Sequence, residues 1–167
     1  IAENLDRQAD RCTEAIMQEA GWSAKAAREE VEASCRRLFY CAALAGTFDG
    51  SIPSSAAKTL TLSIKEPMGV MAIKADDDTP LLGLATVIGV TLAMGNTATV
   101  LAGHYSYTAM EFVDALQLAT IPAGVLNLLC AESPDSVGKD SPLRTLAEHE
   151  EVRAIWHFGS REAWSEV

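Results

Sequence analysis

The sequence predicts an α/β fold built on a mostly parallel sheet, and the alternation of apolar runs with helical segments leads to this prediction. After Pro67, four short apolar runs alternate with three segments of helical spacing, from "GVMAIKA" to "VRAIWHFG". Strands separated by helices fit right-handed β-α-β crossovers, which place helices on both faces of a parallel sheet. Residues 67–167 therefore predict a Rossmann-like domain.

Residues 1–46 predict a pair of amphipathic helices that pack on this domain. Apolar and polar residues mix at helical spacing from Asn4 to Ala20, and Ser23 is suited to cap a second helix. Gly46 stands where a C′ glycine would end that helix. The second helix shows one apolar stripe at spacings of three and four, formed by Ala27, Val31, Cys35, Leu38, Ala42 and Ala45.

Residues 47–66 predict a half-exposed strand after a turn. In "KTLTLSIKEP", Leu60, Leu62 and Ile64 alternate with polar residues, which is the period of a half-exposed strand. We expect such a strand to add to the edge of another sheet and so to serve in oligomerisation.

The run from Pro80 to Gly95 is shorter than the ~20 residues of a membrane span, so it predicts a buried helix.

The end of the sequence predicts a truncated domain. "SREAWSEV" begins a further helix, and a crossover that starts there has no strand to return to. We therefore expect the chain to be part of a longer polypeptide.

Charge and cysteine usage restrict the partners and the compartment. The net charge is −10 with scattered cations, which disfavours nucleic acid and anionic membranes as partners. The four cysteines show no C-x-x-C spacing, so they predict reduced thiols and a cytoplasmic protein. No leader-like segment opens the sequence.

The consecutive carboxylates Asp76, Asp77 and Asp78 invite a catalytic or metal-binding interpretation. They precede a predicted helix with Pro80 near its first turn, where Asp78 or Thr79 is a natural N-cap. Three adjacent side chains cannot all converge on one ion, so we expect no metal site. Nothing in the sequence splits their pKa values for paired acid-base chemistry either.

The remaining candidates are weak when taken alone. Gly159 and Ser160 join the last strand to the last helix, where backbone N–H groups can hold a phosphate, although a plain structural turn is the simpler interpretation. His104 follows a predicted strand at the edge where open α/β sheets bind ligands, but it has no evident partner in the sequence. The cysteines fit packing positions and not a nucleophile.

A family resemblance joins these elements. The chain resembles the coenzyme-binding domain of aldehyde dehydrogenases, with the N-terminal helices and bridging strand included, and it is most similar to the degenerate second domain of the two-domain aldehyde dehydrogenase family sixteen. The stretches that support the resemblance are "EPMGVMAI", "TPLLGLATVIGVTLAMGNTATVL", "IPAGVLNLL" and "EHEEVRAIWHFGS".

The resemblance also shows departures at polar positions. It implies that Asp78 occupies the place of the family's oxyanion asparagine, and that Leu101 and His104 replace its ribose-binding lysine and glutamate. Phe158 replaces a threonine before the Gly159-Ser160 turn, which stays as a weak coenzyme-binding candidate. The family's nucleophile and base would lie beyond this chain, so we expect no catalytic residue within it.

Two functional expectations follow, and a third ignores the resemblance. The first is a non-catalytic pseudoenzyme domain that binds no cofactor and packs against a sibling aldehyde dehydrogenase domain or in a homo-oligomer. The second is the coenzyme-binding part of an NAD-dependent aldehyde dehydrogenase whose nucleophile and base lie downstream. The third is an unassigned Rossmann-like domain that binds some other small ligand at the carboxyl ends of its strands, with Gly159 and Ser160 as the anion pocket.

Overall fold

The computed structural model describes residues 1–54, 59–130 and 141–158. In the described part the helices are α1 Ala2–Arg7, α2 Ala9–Ala20, α3 Ala24–Ala45, α4 Leu82–Ala93, α5 Ser106–Gln117 and α6 Pro142–Ala147. The strands there are β1 Val70–Lys74, β2 Thr97–Leu101, β3 Leu126–Leu129 and β4 Val152–His157. The helix predicted after Ser160 lies outside the described residues.

The four strands form one sheet in the order β3-β2-β1-β4, and every neighbouring pair is parallel. This confirms the predicted α/β class. The chain runs from β1 through β2 to β3 on one side and then crosses back to place β4 on the other side of β1. The point where the strand order reverses therefore lies between β1 and β4, and open α/β sheets bind ligands beside such a point at their carboxyl edge.

The core lies between the sheet and the N-terminal helices. α3 packs against α4, and α1 and α2 pack against α5, whereas α6 contacts β1 and β4. Right-handed crossovers place α4 and α5 on one face of the sheet and α6 on the other. Along the strands, alternate residues face α4 and α5 and are fully or almost fully buried, namely Met71, Ile73, Ala98 and Val100.

The N-terminal segment differs from the prediction in two details. The predicted first helix is divided at Gln8, whose ψ of 14° ends α1 before α2 begins. Ser23 caps α3 as predicted, because its Oγ accepts a hydrogen bond from the Ala26 N–H. Gly46 is not a left-handed cap, since its φ is −94°; that conformation occurs instead at Gly21, after α2, with a φ of 69°.

In its described residues, 47–54 and 59–66, the predicted bridging segment does not form a regular strand. Ser51 and Ser63 make one isolated antiparallel bridge. Leu60, Leu62 and Ile64 are all exposed, by 75%, 55% and 74%. A strand is defined by its hydrogen-bonded neighbour, and within the described part of the chain this segment pairs with no second strand beyond that bridge. Their part in oligomerisation stays a prediction.

Within the described part of the chain, no helix combines the length and the apolar character needed to cross a lipid bilayer.

Candidate functional site

The candidate site is the carboxyl edge of the sheet around β1. Lys74 ends β1 and is in register with Leu101 of β2 on one side and with His157 of β4 on the other. The loop after β1 carries the three aspartates, and the loop after β2 carries His104. The sheet therefore brings together residues that are far apart in the sequence, among them the polar residues Lys74, His104 and His157.

Lys74 and Asp77 form an ion pair at this edge that the sequence analysis missed. The Lys74 Nζ lies 2.5 Å from Asp77 Oδ2 and also donates to the Ala75 carbonyl at 3.0 Å. The lysine side chain is fully buried, while 21% of the Asp77 side chain is exposed. A buried ammonium needs such partners, because an unpaired charge in the interior is costly.

The other two aspartates shape the loop and do not cap α4. Asp76 accepts hydrogen bonds from the Asp78 N–H and from the Thr79 hydroxyl. Asp78 itself is exposed, and the N-cap of α4 is Leu81, directly before the helix begins at Leu82, so the prediction of an Asp78 cap is wrong. The alternative cap, Thr79, does accept a hydrogen bond from the Gly83 N–H at 2.9 Å.

Carboxylates from the N-terminal helices occupy the first turns of α4 and α5. Glu30 Oε1 accepts from the N–H groups of Leu81 and Leu82 at 3.2 and 2.8 Å. Glu19 accepts from Tyr107 and Thr108 at 2.9 Å each. Anions bind at helix N-termini because free N–H groups and the helix dipole attract them. At the starts of α4 and α5 the two glutamate carboxylates already accept from these N–H groups, so the same N–H groups are not available to a phosphate.

The predicted site residues have different fates. Leu101 is fully buried beside Lys74. The backbone N–H of His104 donates to Asp77 Oδ1 at 2.9 Å, which brings the loops after β1 and β2 together. Gly159 and Ser160 lie outside the described residues. One sequence signal for the missed ion pair was a lone lysine at the end of a buried run, followed three residues later by an acid.

Three of the four thiols are inaccessible, and all four are free. Burial raises the pKa of Cys12 to about 12 and that of Cys35 to about 11, and it also raises the pKa of Cys41. A thiol attacks as the thiolate, so these three are poor nucleophiles. Cys130, at the end of β3, is exposed.

We expect only Cys130 to react quickly with Ellman's reagent at pH 8, and all four thiols to react after unfolding in guanidinium. The Cys130→Ser variant is the control and should show no fast phase. A second fast thiol in the native protein would contradict the packing described here.

Because folding raises the pKa of Cys12 above its usual 9.0, the free energy of unfolding should also fall as the pH rises from 9.0 towards 12.

The described residues contain no group of three or more His, Cys, Asp or Glu side chains arranged to hold a metal ion. The three aspartates illustrate why, since Asp76 turns back on its own loop while Asp77 points to Lys74.

Comparisons with known proteins identify relatives of the whole chain. Hydroxyisobutyraldehyde dehydrogenase from Mycolicibacterium austroafricanum is 32% identical over 168 residues, which cover 100% of this chain and 32% of that protein. The chain thus spans about a third of the length of this relative.

Solved structures share the fold. An NAD-dependent aldehyde dehydrogenase from Sinorhizobium meliloti has a TM-score of 0.86 at 22% identity, covering 98% of this chain and 32% of that one. PnpE in complex with nicotinamide adenine dinucleotide has a TM-score of 0.83 at 21% identity, covering 93% and 31%. That complex, in a protein of the same fold, contradicts the expectation of a domain without any cofactor.

The family model described as "Aldehyde dehydrogenase family" matches residues 1–167. Sequence similarity, sheet order and the residues quoted for the resemblance therefore agree. This chain belongs to the aldehyde dehydrogenase family.

Proposed function

We propose that this chain is the NAD(P)-binding part of an aldehyde dehydrogenase family protein, and that the nucleophile and the general base are supplied by another part of the polypeptide. The observation that supports the proposal most is the parallel sheet β3-β2-β1-β4, which has a reversal point between β1 and β4 and polar groups beside it, at the carboxyl edge of β1 and β2. The length of the relatives supports a longer functional unit.

The residues at this edge fit a dinucleotide in part. A ribose needs an acceptor for its hydroxyl groups, and the partly exposed carboxylate of Asp77 is one. A pyrophosphate needs free N–H groups, and Glu30 and Glu19 have taken those of α4 and α5. We therefore propose Gly159 and Ser160, the turn predicted from the sequence after β4, for the phosphate end. When bound, the coenzyme would supply hydride acceptance, and the chain's own residues would bind and orient it.

A second candidate is a non-catalytic module of the same family that binds coenzyme but does not turn over aldehyde. Asp78 favours it, because an exposed carboxylate stands where the resemblance implies an oxyanion donor. Losing one such donor costs about 2.7–4 kcal/mol of transition-state stabilisation. Such a module would pack against a sibling domain or a second copy. For both candidates we propose a cytoplasmic location, consistent with four free thiols.

Titration with NAD tests the shared part of both candidates. A ligand at 100 times its Kd adds about 2.7 kcal/mol to the free energy of unfolding, so we expect a clear rise in Tm with saturating NAD. Nicotinamide alone is the control and should produce no rise, because it lacks the ribose and phosphate groups. A Tm that stays constant with millimolar NAD and NADP would refute the proposed function.

Aldehyde turnover separates the two candidates. In the full-length protein, formation of NADH from NAD and an aldehyde supports the enzyme and excludes the non-catalytic module. Coenzyme binding without NADH formation supports the module. Restoring the amide with Asp78→Asn should then leave a true module inactive, since its missing donor is only one of several requirements for catalysis.

A further inference from the structure

Lys74 and Asp77 form a structural unit between β1 and β2. Lys74 is the register partner of Leu101, so the two side chains point to the same face of the sheet. Its ammonium group is fully buried and donates to Asp77 Oδ2 at 2.5 Å. This contact leaves the Asp77 carboxylate little freedom to rotate, because a charge-assisted hydrogen bond is short and directional.

The second oxygen of Asp77 is fixed from the neighbouring loop. Asp77 Oδ1 accepts from the His104 N–H at 2.9 Å. Gly103 makes this approach possible: a Cβ at that residue would lie 2.1 Å from Oδ1 and 3.1 Å from the Asp76 carbonyl oxygen. The carboxylate is therefore held in the gap between the loops that follow β1 and β2.

Asp77 keeps capacity for a further partner. A carboxylate offers about four lone-pair sites, and its bonds to Lys74 and His104 use one on each oxygen. The exposed 21% of its side chain makes it accessible at the carboxyl edge of the sheet. A ligand that lies across this edge and carries a hydroxyl group can donate to it.

We propose that Asp77 is the ribose acceptor of the coenzyme site, that Lys74 is its positioning residue, and that the pair selects NAD over NADP. This inference rests on the proposed function. Leu101 and His104, the two positions where the resemblance implied ribose-binding residues, both lie against the pair.

Charge gives the direction of the selectivity. The 2′-hydroxyl of NAD donates a hydrogen bond to a carboxylate, whereas the 2′-phosphate of NADP is an anion and is repelled by it. Asp76 on the same loop adds a second carboxylate against the single ammonium of Lys74, whereas the charge of the exposed Asp78 is screened by solvent. The loop therefore carries a net negative charge towards any phosphate group beside it.

The test compares binding of NAD and NADP to the full-length protein by titration calorimetry. We expect wild type to bind NAD about tenfold more tightly than NADP. Asp77→Asn should weaken NAD binding about tenfold and should tighten NADP binding, because the carboxylate that repels the 2′-phosphate is gone. The control is Asp78→Asn, which removes the same charge at the next residue, where the side chain is exposed. It should change NAD binding by less than about twofold. Urea unfolding of each variant verifies that it is folded.

Lys74→Met tests the positioning role separately. It keeps a long side chain and removes the ammonium, so Asp77 loses its anchor and the preference for NAD over NADP should narrow. Lys74→Arg, which restores the charge, should recover part of that preference. A role in stability alone would lower the resistance to urea without changing the ratio of the two affinities.

The outcomes separate this inference from the proposed function. If neither NAD nor NADP binds wild type, the proposed function fails and the inference fails with it. If NAD binds but Asp77→Asn and Asp78→Asn have equal effects, or if wild type prefers NADP, only the assignment of Lys74 and Asp77 is overturned.

Discussion

Glu30→Ala is expected to lower the free energy of unfolding by about 2–4 kcal/mol. The loss arises because two charge-assisted hydrogen bonds disappear and their N–H donors stay inside the protein. Glu30 is only 8% exposed, and its Oε1 accepts from both Leu81 and Leu82. Alanine would leave two N–H groups without an acceptor at the start of α4. Water cannot easily replace the carboxylate, because Leu81 is fully buried.

Urea denaturation measures this loss, and two variants on α3 serve as controls. Glu32→Ala removes a carboxylate whose side chain is 51% exposed and should change stability by less than about 0.5 kcal/mol. Glu30→Gln keeps an oxygen acceptor and should lose less than alanine does. Equal losses for Glu30→Ala and Glu32→Ala would show that Glu30 does not stabilise α4.

Gly103→Ala is expected to destabilise the protein by about 1–3 kcal/mol, the usual cost of adding a group to a well-packed site. The new methyl group would overlap Asp77 Oδ1 at 2.1 Å and press on the Asp76 carbonyl oxygen at 3.1 Å. The carboxylate would then have to leave the His104 N–H, and the two loops would separate. Urea unfolding and the affinity for NAD should therefore both respond.

The control for this substitution is Gly46→Ala. No atom would lie within 4 Å of the added Cβ at Gly46, and the backbone there has a φ of −94°, which alanine adopts readily. A double-mutant cycle sharpens the test: in an Asp77→Ala background the clash partner is absent, so Gly103→Ala should cost clearly less. Strictly additive losses would show that the glycine and the aspartate do not act on each other.

The parallel sheet could be predicted from the sequence because each of its strands is marked by a local pattern. Each strand of 67–167 is a short apolar run between helices, and the handedness of crossovers then limits the topology. The break at Gln8 was not predictable in the same way, since the apolar spacing continues through it. The segment around Leu62 alternates as a strand should, but alternation reveals only a preference and not a partner.

The candidate site was harder to predict because its contacts join distant parts of the chain. Glu30 looks like one more polar residue of an amphipathic helix until α4 is placed against it. Asp77 looks like the middle of three equivalent acids, and only the ends of β1 and β2 distinguish it from Asp76 and Asp78. Sequence patterns give the period of an element, whereas such roles depend on tertiary neighbours.

The glutamates that α2 and α3 contribute to α5 and α4 set a limit for protein engineers. A graft of residues 67–158 alone into another scaffold would leave the N–H groups at the starts of α4 and α5 without their glutamate acceptors. It would also expose the surfaces of α4 and α5 that the N-terminal helices cover. Chimeras whose grafted segment begins at Ser23 or Gly46 lack the preceding helices and should aggregate. Chimeras that keep residues 1–46 should remain monodisperse.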